Sequence, residues 1–419
     1  MQYSWAAAWL YAIGVAAAQS GSVPLEQATL GRIRARMAET LARQPNYTCV
    51  QRIERSSRRA PRHTYQLRDM LRLEVALVDG KEMYAWPGES KFEDRDLLDM
   101  VPVGGAIGTG DFATHARAVF LTGAPKFKYD GIVEIGGRRA YCYRFKVAQL
   151  ESGYHIRVNG AEAVVGYHGS FWADVNTLDL IRLEVVADDI PAYLGLRSAQ
   201  DVMEYGRVQI GGSDFLLPVS SELAMVDLSG NASRNITHFS ECRQYTGESV
   251  LTFADAPERA PAEVAAVEQP KEPVSVPPDM VFEVSLDGAI DSERSMVGDP
   301  LTATLQESIK LKRRVLFPKG AKLLGRILRL ERHDDHCDVD IQFSEVASGN
   351  AWSPLATRLE PRVMPDSHPF LRGLVQVSDE PRASGLKLRG PRVHLPRGFR
   401  LRLRTVAVNH PANSASMAR

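Results

Sequence analysis

Beyond its first eighteen residues the chain has no apolar run of the ~20 residues that a spanning helix takes. Cysteine is scarce. Cys49, Cys142, Cys242 and Cys337 are the whole complement, suited to an oxidising compartment but too few for a disulfide-built fold. Net charge is absent as well, since 51 Lys and Arg balance 51 Asp and Glu. A neutral chain has no field of one sign to attract nucleic acid, so no nucleic-acid partner is expected. Catalytic motifs are missing too: there is no G-x-S-x-G elbow and no H-E-x-x-H pair. The glycine-rich stretch 104–110 lacks the lysine of a phosphate loop. Nothing assembles an acid, a base and an oxyanion site, so the reading is a non-enzymatic protein without a cofactor.

One stretch is short of large apolar side chains altogether. Residues 255–278 hold six prolines, five acidic and two basic residues, with no leucine, isoleucine or aromatic. Such a segment cannot bury enough surface to offset its chain entropy, and its prolines favour an extended spacer. It divides the sequence into residues 24–253 and 279–408, joined by a linker over 254–278. A polar tail over 409–419 is expected to be disordered.

At the N-terminus, residues 5–18 form an apolar run ending in Ala16-Ala17-Ala18, which fits a signal peptide over 1–18 with an A-x-A cleavage site. The expected location is exported, periplasmic or outer-membrane associated. Residues 24–44 place Leu30, Ile33, Met37 and Leu41 at helical spacing. Strand patterns then dominate, punctuated by Asp79-Gly80, Gly136-Gly137 and Gly211-Gly212. Two helical stretches interrupt them, at 95–101 and 111–121, the second with Asp111 as N-cap. This is an antiparallel meander carrying a few helices. Cys49 lies in its first strand and Cys242 in its last, so a Cys49–Cys242 bridge would tie its two ends together. Cys49–Cys142 is the alternative.

The second part carries a repeat. Val276-Pro-Pro-Asp, Phe317-Pro-Lys-Gly and Leu395-Pro-Arg-Gly each precede a strand pattern, as a tight turn launching a strand would. A compact β-barrel or sandwich of about seven to nine strands follows. Within it, Arg332-His-Asp-Asp-His-Cys-Asp338 gathers metal-type side chains. As a hairpin tip it would face His333 towards His336, a weak metal candidate beside the ordinary reading of a solvated turn. Arg400, Arg402 and Arg404 alternate with Phe399, Leu401 and Leu403. A period of two puts the arginines on one strand face, a candidate anion-binding stripe or a solvated face.

Pro45-Asn-Tyr-Thr-Cys49, Tyr167-His-Gly-Ser-Phe-Trp-Ala-Asp174, Leu180-Ile-Arg-Leu-Glu184 and Phe239-Ser-Glu-Cys-Arg-Gln-Tyr245 together resemble a group of exported bacterial proteins. The segment Phe171-Trp-Ala-Asp followed by Leu180-Ile-Arg-Leu is similar to the central strands of lipoprotein-localisation-factor (LolA/LolB-like) domains. That resemblance implies a mainly β fold, a curved antiparallel half-barrel closed by helices, with acyl chains bound in an apolar concavity. The Pro-x-Gly copies resemble the β-barrel domain of TrbI-type secretion-channel subunits. Two functions are expected from this. One is an envelope binding protein sheltering a lipid or acyl chain; the other is an envelope scaffold without a small-molecule ligand. Envelope anions or another envelope protein are the further partners. No ligand-binding residue transfers, because that family recognises its ligand by cavity shape.

Overall fold

The computed structural model describes residues 24–89, 92, 97–101, 112–158, 160–245, 272–349, 351–360, 375–377 and 385–407. The expected signal peptide, the tail, most of the linker and Asp111 fall outside them. The chain is mainly β, as the alternation of apolar and polar residues demands.

Eleven strands form the first sheet: β1 (Tyr47–Arg58), β2 (Gln66–Val78), β3 (Lys81–Ala85), β4 (Lys126–Ile135), β5 (Arg138–Val147), β6 (Tyr154–Val158), β7 (Ala161–Asp174), β8 (Leu180–Asp188), β9 (Leu196–Ile210), β10 (Ser213–Asp227) and β11 (Ala232–Gln244). Their order is β3-β2-β1-β11-β10-β9-β8-β7-β5-β4, with β6 paired to β7. Every pairing is antiparallel, and the sheet curls strongly into a half-barrel. Asp79-Gly80, Gly136-Gly137 and Gly211-Gly212 make the hairpin turns.

Among the described residues, three α-helices accompany the sheet: α1 (Leu25–Arg43), α2 (Leu97–Met100) and α3 (Thr114–Leu121). Ile33, Met37 and Leu41 of α1 are buried with Ala116, Val119 and Phe120 of α3 against Tyr143, Phe171 and Met203. The helices therefore cover the concave face. α3 begins at Thr114, and its first turn is capped by a side chain from another strand. Glu82 of β3 accepts hydrogen bonds from the Ala113 and Thr114 N–H groups (3.0 and 3.2 Å) and the Thr114 hydroxyl (3.0 Å). A carboxylate there also complements the positive end of the helix dipole.

Among the described residues between 272 and 405, ten strands form the second sheet, against the seven to nine expected. Its order runs Glu272–Pro273, Ala351–Pro354, His336–Ser348, Lys322–Arg332, Pro300–Leu305, Val281–Leu286, Arg400–Thr405, Thr357–Leu359, with Gly385–Arg389 and Val375–Val377 alongside His336–Ser348. Ile290–Asp291 with His394–Leu395, and Ile309–Leu311 with Arg314–Phe317, make two small ribbons. The three Pro-containing copies share one geometry. Asp279, Gly320 and Gly398 all take positive φ (66°, 91° and 86°) immediately before a strand. Only at such a corner does the chain reverse into the next strand without clashing.

The expected spacer is shorter at its C-terminal end. Glu272–Pro273 already pairs in parallel with Ala351 and Trp352, and the Val274 N–H donates to Trp352 O at 2.7 Å. Val274 and Val276 pack against the core, so two valines overcome the proline-rich context. Nor do the two sheets hang apart. β3 pairs only with residues 74–78 of β2, which leaves the earlier part of that edge open. Met296, Val297 and Gly298 of the second sheet's connections fill it. Leu71, Leu73, Trp86 and Val297 belong to one continuous core with Phe282, Leu323 and Phe343.

Candidate functional site

The inner face of the half-barrel is the surface its curvature gathers together. Alternation along β1 sends Tyr47, Cys49, Gln51, Ile53 and Arg55 inward. Register continues this row through Asp69, Leu71, Leu73 and Val75 on β2 and Asn235, Thr237 and Phe239 on β11. Towards the other edge, Phe171 stacks on Tyr143 at 5.3 Å and meets Phe120 edge-on at 5.0 Å. Tyr47, Phe112 and Phe239 make a second aromatic group, with centroids 5.1 Å apart at each contact.

A polar band crosses this apolar lining. Arg55 grips Asp69 with both ends of its fork, at 2.7 and 2.5 Å, and both side chains are almost wholly buried. Such a bidentate pair needs every donor aligned, or its desolvation would outweigh its attraction. Further along, His115 Nε2 of α3 lies 3.5 Å from Asp201 Oδ2 of β9. The His115 ring also meets Tyr154 edge-on. Burial pushes the Tyr47 and Tyr154 hydroxyls well above the usual phenol range, so both stay protonated. The Tyr47 hydroxyl, Gln51 Oε1 and Asp201 Oδ1 are buried without a hydrogen-bond partner among the described residues. Sequence reading missed this band, because a polar residue at an inward position looks like a break in the strand pattern.

Cys49 and Cys242 form a disulfide across the β1–β11 junction, with Cα atoms 4.1 Å apart. It closes 193 residues of separation, a constraint on the unfolded chain of about 5 kcal/mol in the loop-entropy picture. Cys142 and Cys337 are buried free thiols, and burial pushes that of Cys337 up to about 12.

His333 and His336 do meet across their hairpin tip, their rings stacked at 4.2 Å. Asp338 joins them, and the three ligand atoms lie within 4.8 Å of one another. The same atoms are already engaged. Arg329 reaches Asp338 at 3.0 Å, and Arg68 of β2 lies 3.4 Å from His333 Nδ1. Two guanidinium groups beside the cluster oppose a cation and would have to move for one.

The arginine stripe lies as the alternation requires, with Phe399, Leu401 and Leu403 buried behind it. The strand is interior, paired to Val281–Leu286 and Thr357–Leu359. It carries its own counter-ions. Arg400 reaches Glu283 at 3.2 Å and Arg404 reaches Glu360 at 2.7 Å.

No family model matches the chain, and no curated protein matches its sequence. Among solved structures it is similar to a LolA superfamily protein from Nitrosomonas europaea (14% identity, TM-score 0.27), over 52% of this chain and 93% of that one. It is also similar to a DUF1329 family protein from Desulfovibrio piger (14% identity, TM-score 0.29, 54% and 95% covered). A third similar structure is an outer membrane lipoprotein-sorting protein domain from Vibrio parahaemolyticus (11% identity, TM-score 0.30, 54% and 95% covered).

Proposed function

We propose that the protein is a non-enzymatic envelope binding protein whose half-barrel shelters a lipid or acyl chain against its inner face. The observation that carries this reading is the lining itself. Aromatic and aliphatic side chains cover the curved face, while the buried polar atoms of Tyr47, Gln51 and Asp201 have no partner among the described residues. Buried polar groups in folded proteins are ordinarily satisfied, so unpaired ones inside a lined concavity support an occupant with a polar end. Export to the periplasm, as the apolar N-terminal run implies, would bring it to such a ligand.

Native mass spectrometry after mild purification tests this. A co-purifying lipid mass, displaced by a fluorescent fatty acid, is the expected result. A clean apo mass with no uptake of the probe overturns it.

One observation favours the scaffold reading instead. β4 is an edge strand of the sheet with Ile132 and Val133 exposed, and such an edge can accept a strand from a partner protein. A co-eluting protein lost on substituting Ile132→Lys would support that reading.

A further inference from the structure

A cavity of about 230 Å³ opens where the first sheet meets the second. Arg55, Arg58 and Arg59 come from the end of β1, Arg68 and Asp69 from the start of β2, and Glu331 from the facing hairpin of the second sheet. Four guanidinium groups thus face two carboxylates, and both carboxylates are already engaged. Asp69 is held by Arg55 at both oxygens. Glu331 is shared between Arg68 at 2.5 Å and Arg329 at 2.8 Å.

The surplus charge sits on Arg58 and Arg59. Neither has a carboxylate partner among the described residues, and the Arg58 Nε is buried without an acceptor. Arg58 spends one N–H on Arg62 O at 3.2 Å and lies over the Tyr65 ring, which leaves its Nε–H as a buried donor that a ligand oxygen could satisfy. The loop that carries these arginines is fixed in advance. The Ala60 N–H donates to Asn231 Oδ1 at 3.1 Å, and Asn231 is anchored in turn on Asp227 at 2.8 Å. Ser56, Ser57 and Ser233 add hydroxyl donors to the lining. A planar guanidinium fork with neighbouring hydroxyls suits the several acceptor oxygens of a phosphate.

The neighbouring end of the sheet points to the source of that phosphate. The turn that supplies Asn231 also carries Leu228, 54% exposed, whose N–H donates to Gly195 O at 2.9 Å. Tyr193, 67% exposed, stands beside Gly195. Exposed apolar side chains at the same end of the sheet as a cationic pocket match a lipid surface better than free solution. We propose that this pocket binds the phosphate of an anionic phospholipid headgroup. The assignment rests on the reading of the protein as a lipid binder and adds the headgroup class to it.

Flotation of the full chain in low salt tests it. The probes are phosphatidylcholine vesicles with and without phosphatidylglycerol, alongside titration with inorganic phosphate. Wild type should prefer the phosphatidylglycerol vesicles. Arg58→Gln with Arg59→Gln should weaken that binding about ten-fold, the loss of one charge-assisted hydrogen bond. Circular dichroism should be unchanged, because Arg55–Asp69 is untouched. Equal binding of both vesicle types by wild type, or equal binding by wild type and variant, overturns the proposal. Saturable binding of inorganic phosphate without vesicle preference overturns the lipid source and leaves a free-phosphate site. Loss of acyl-probe uptake with vesicle preference intact would sink only the shelter reading above.

Discussion

Arg72 donates its backbone N–H to the carbonyl of Val297 at 2.8 Å, and Val297 returns one to Met70 at 2.8 Å. Two sheets far apart in sequence are thereby hydrogen-bonded along the open edge of β2. Arg68–Glu331 at 2.5 Å and Arg326–Glu89 at 3.1 Å flank the contact, and the Arg326 guanidinium lies over the Trp86 ring.

Gly298 is what lets the backbones approach. Its φ is +96°, and a Cβ there would lie 2.2 Å from Arg72 O and 2.8 Å from the Trp86 ring. Gly298→Ala should cost roughly 3 kcal/mol through backbone strain and the loss of one or two hydrogen bonds. After a limited-proteolysis cut between residues 254 and 271, wild-type halves should co-elute on size exclusion. Variant halves should separate, each with unchanged circular dichroism. Wild-type halves that separate at once would show the interface to be weak.

Much of this architecture was legible beforehand, and the misses share a cause. Period-two alternation located the strands, helical spacing located α1, and strand order along the chain made Cys49–Cys242 the natural bridge. Local pattern says nothing about what fills an open strand edge, so the docking of Val297 on β2 was invisible. The same holds for Glu82 capping α3 from another strand. The cationic pocket was hidden for a related reason. Arg58 and Arg59 read as a polar loop until the β11 turn and Glu331 are brought beside them.

Asp299 offers a pH test at the same interface. Burial raises its carboxyl above the usual range, although Arg72 and Arg52 pull the other way. With the folded pKa raised, the folded chain holds this proton more tightly than the unfolded chain does. The group therefore destabilises the fold once pH exceeds its folded pKa, and that penalty disappears as pH falls towards the unfolded value. Asp299→Asn keeps an acceptor for the Met296 N–H, bonded at 2.8 Å. It should raise the thermal midpoint by a few degrees at pH 7, about 1 kcal/mol or less for a partly exposed group. The difference should shrink as pH approaches ~4. A difference constant from pH 7 to that value would rule out proton linkage at Asp299.

The last prediction separates two cationic surfaces. Arg400, Arg402 and Arg404 share one strand face, yet Glu283 and Glu360 sit among them at ion-pair distance. Arg404 also holds the Glu360 carboxyl below its usual range through a direct hydrogen bond. Paired surface charges attract a distant anion weakly, and salt screens what remains within ~10 Å at 0.1 M. Arg400→Glu with Arg402→Glu should leave the thermal midpoint nearly unchanged, because Leu401 and Leu403 still fill the core behind the stripe. In low salt it should reduce binding to phosphatidylglycerol vesicles about two-fold, far less than the Arg58 and Arg59 pair, and the effect should vanish at 0.15 M salt. A loss as large as that of the pocket variant would make the stripe the principal anion surface. Binding equal to wild type at every salt concentration would leave it a solvated face.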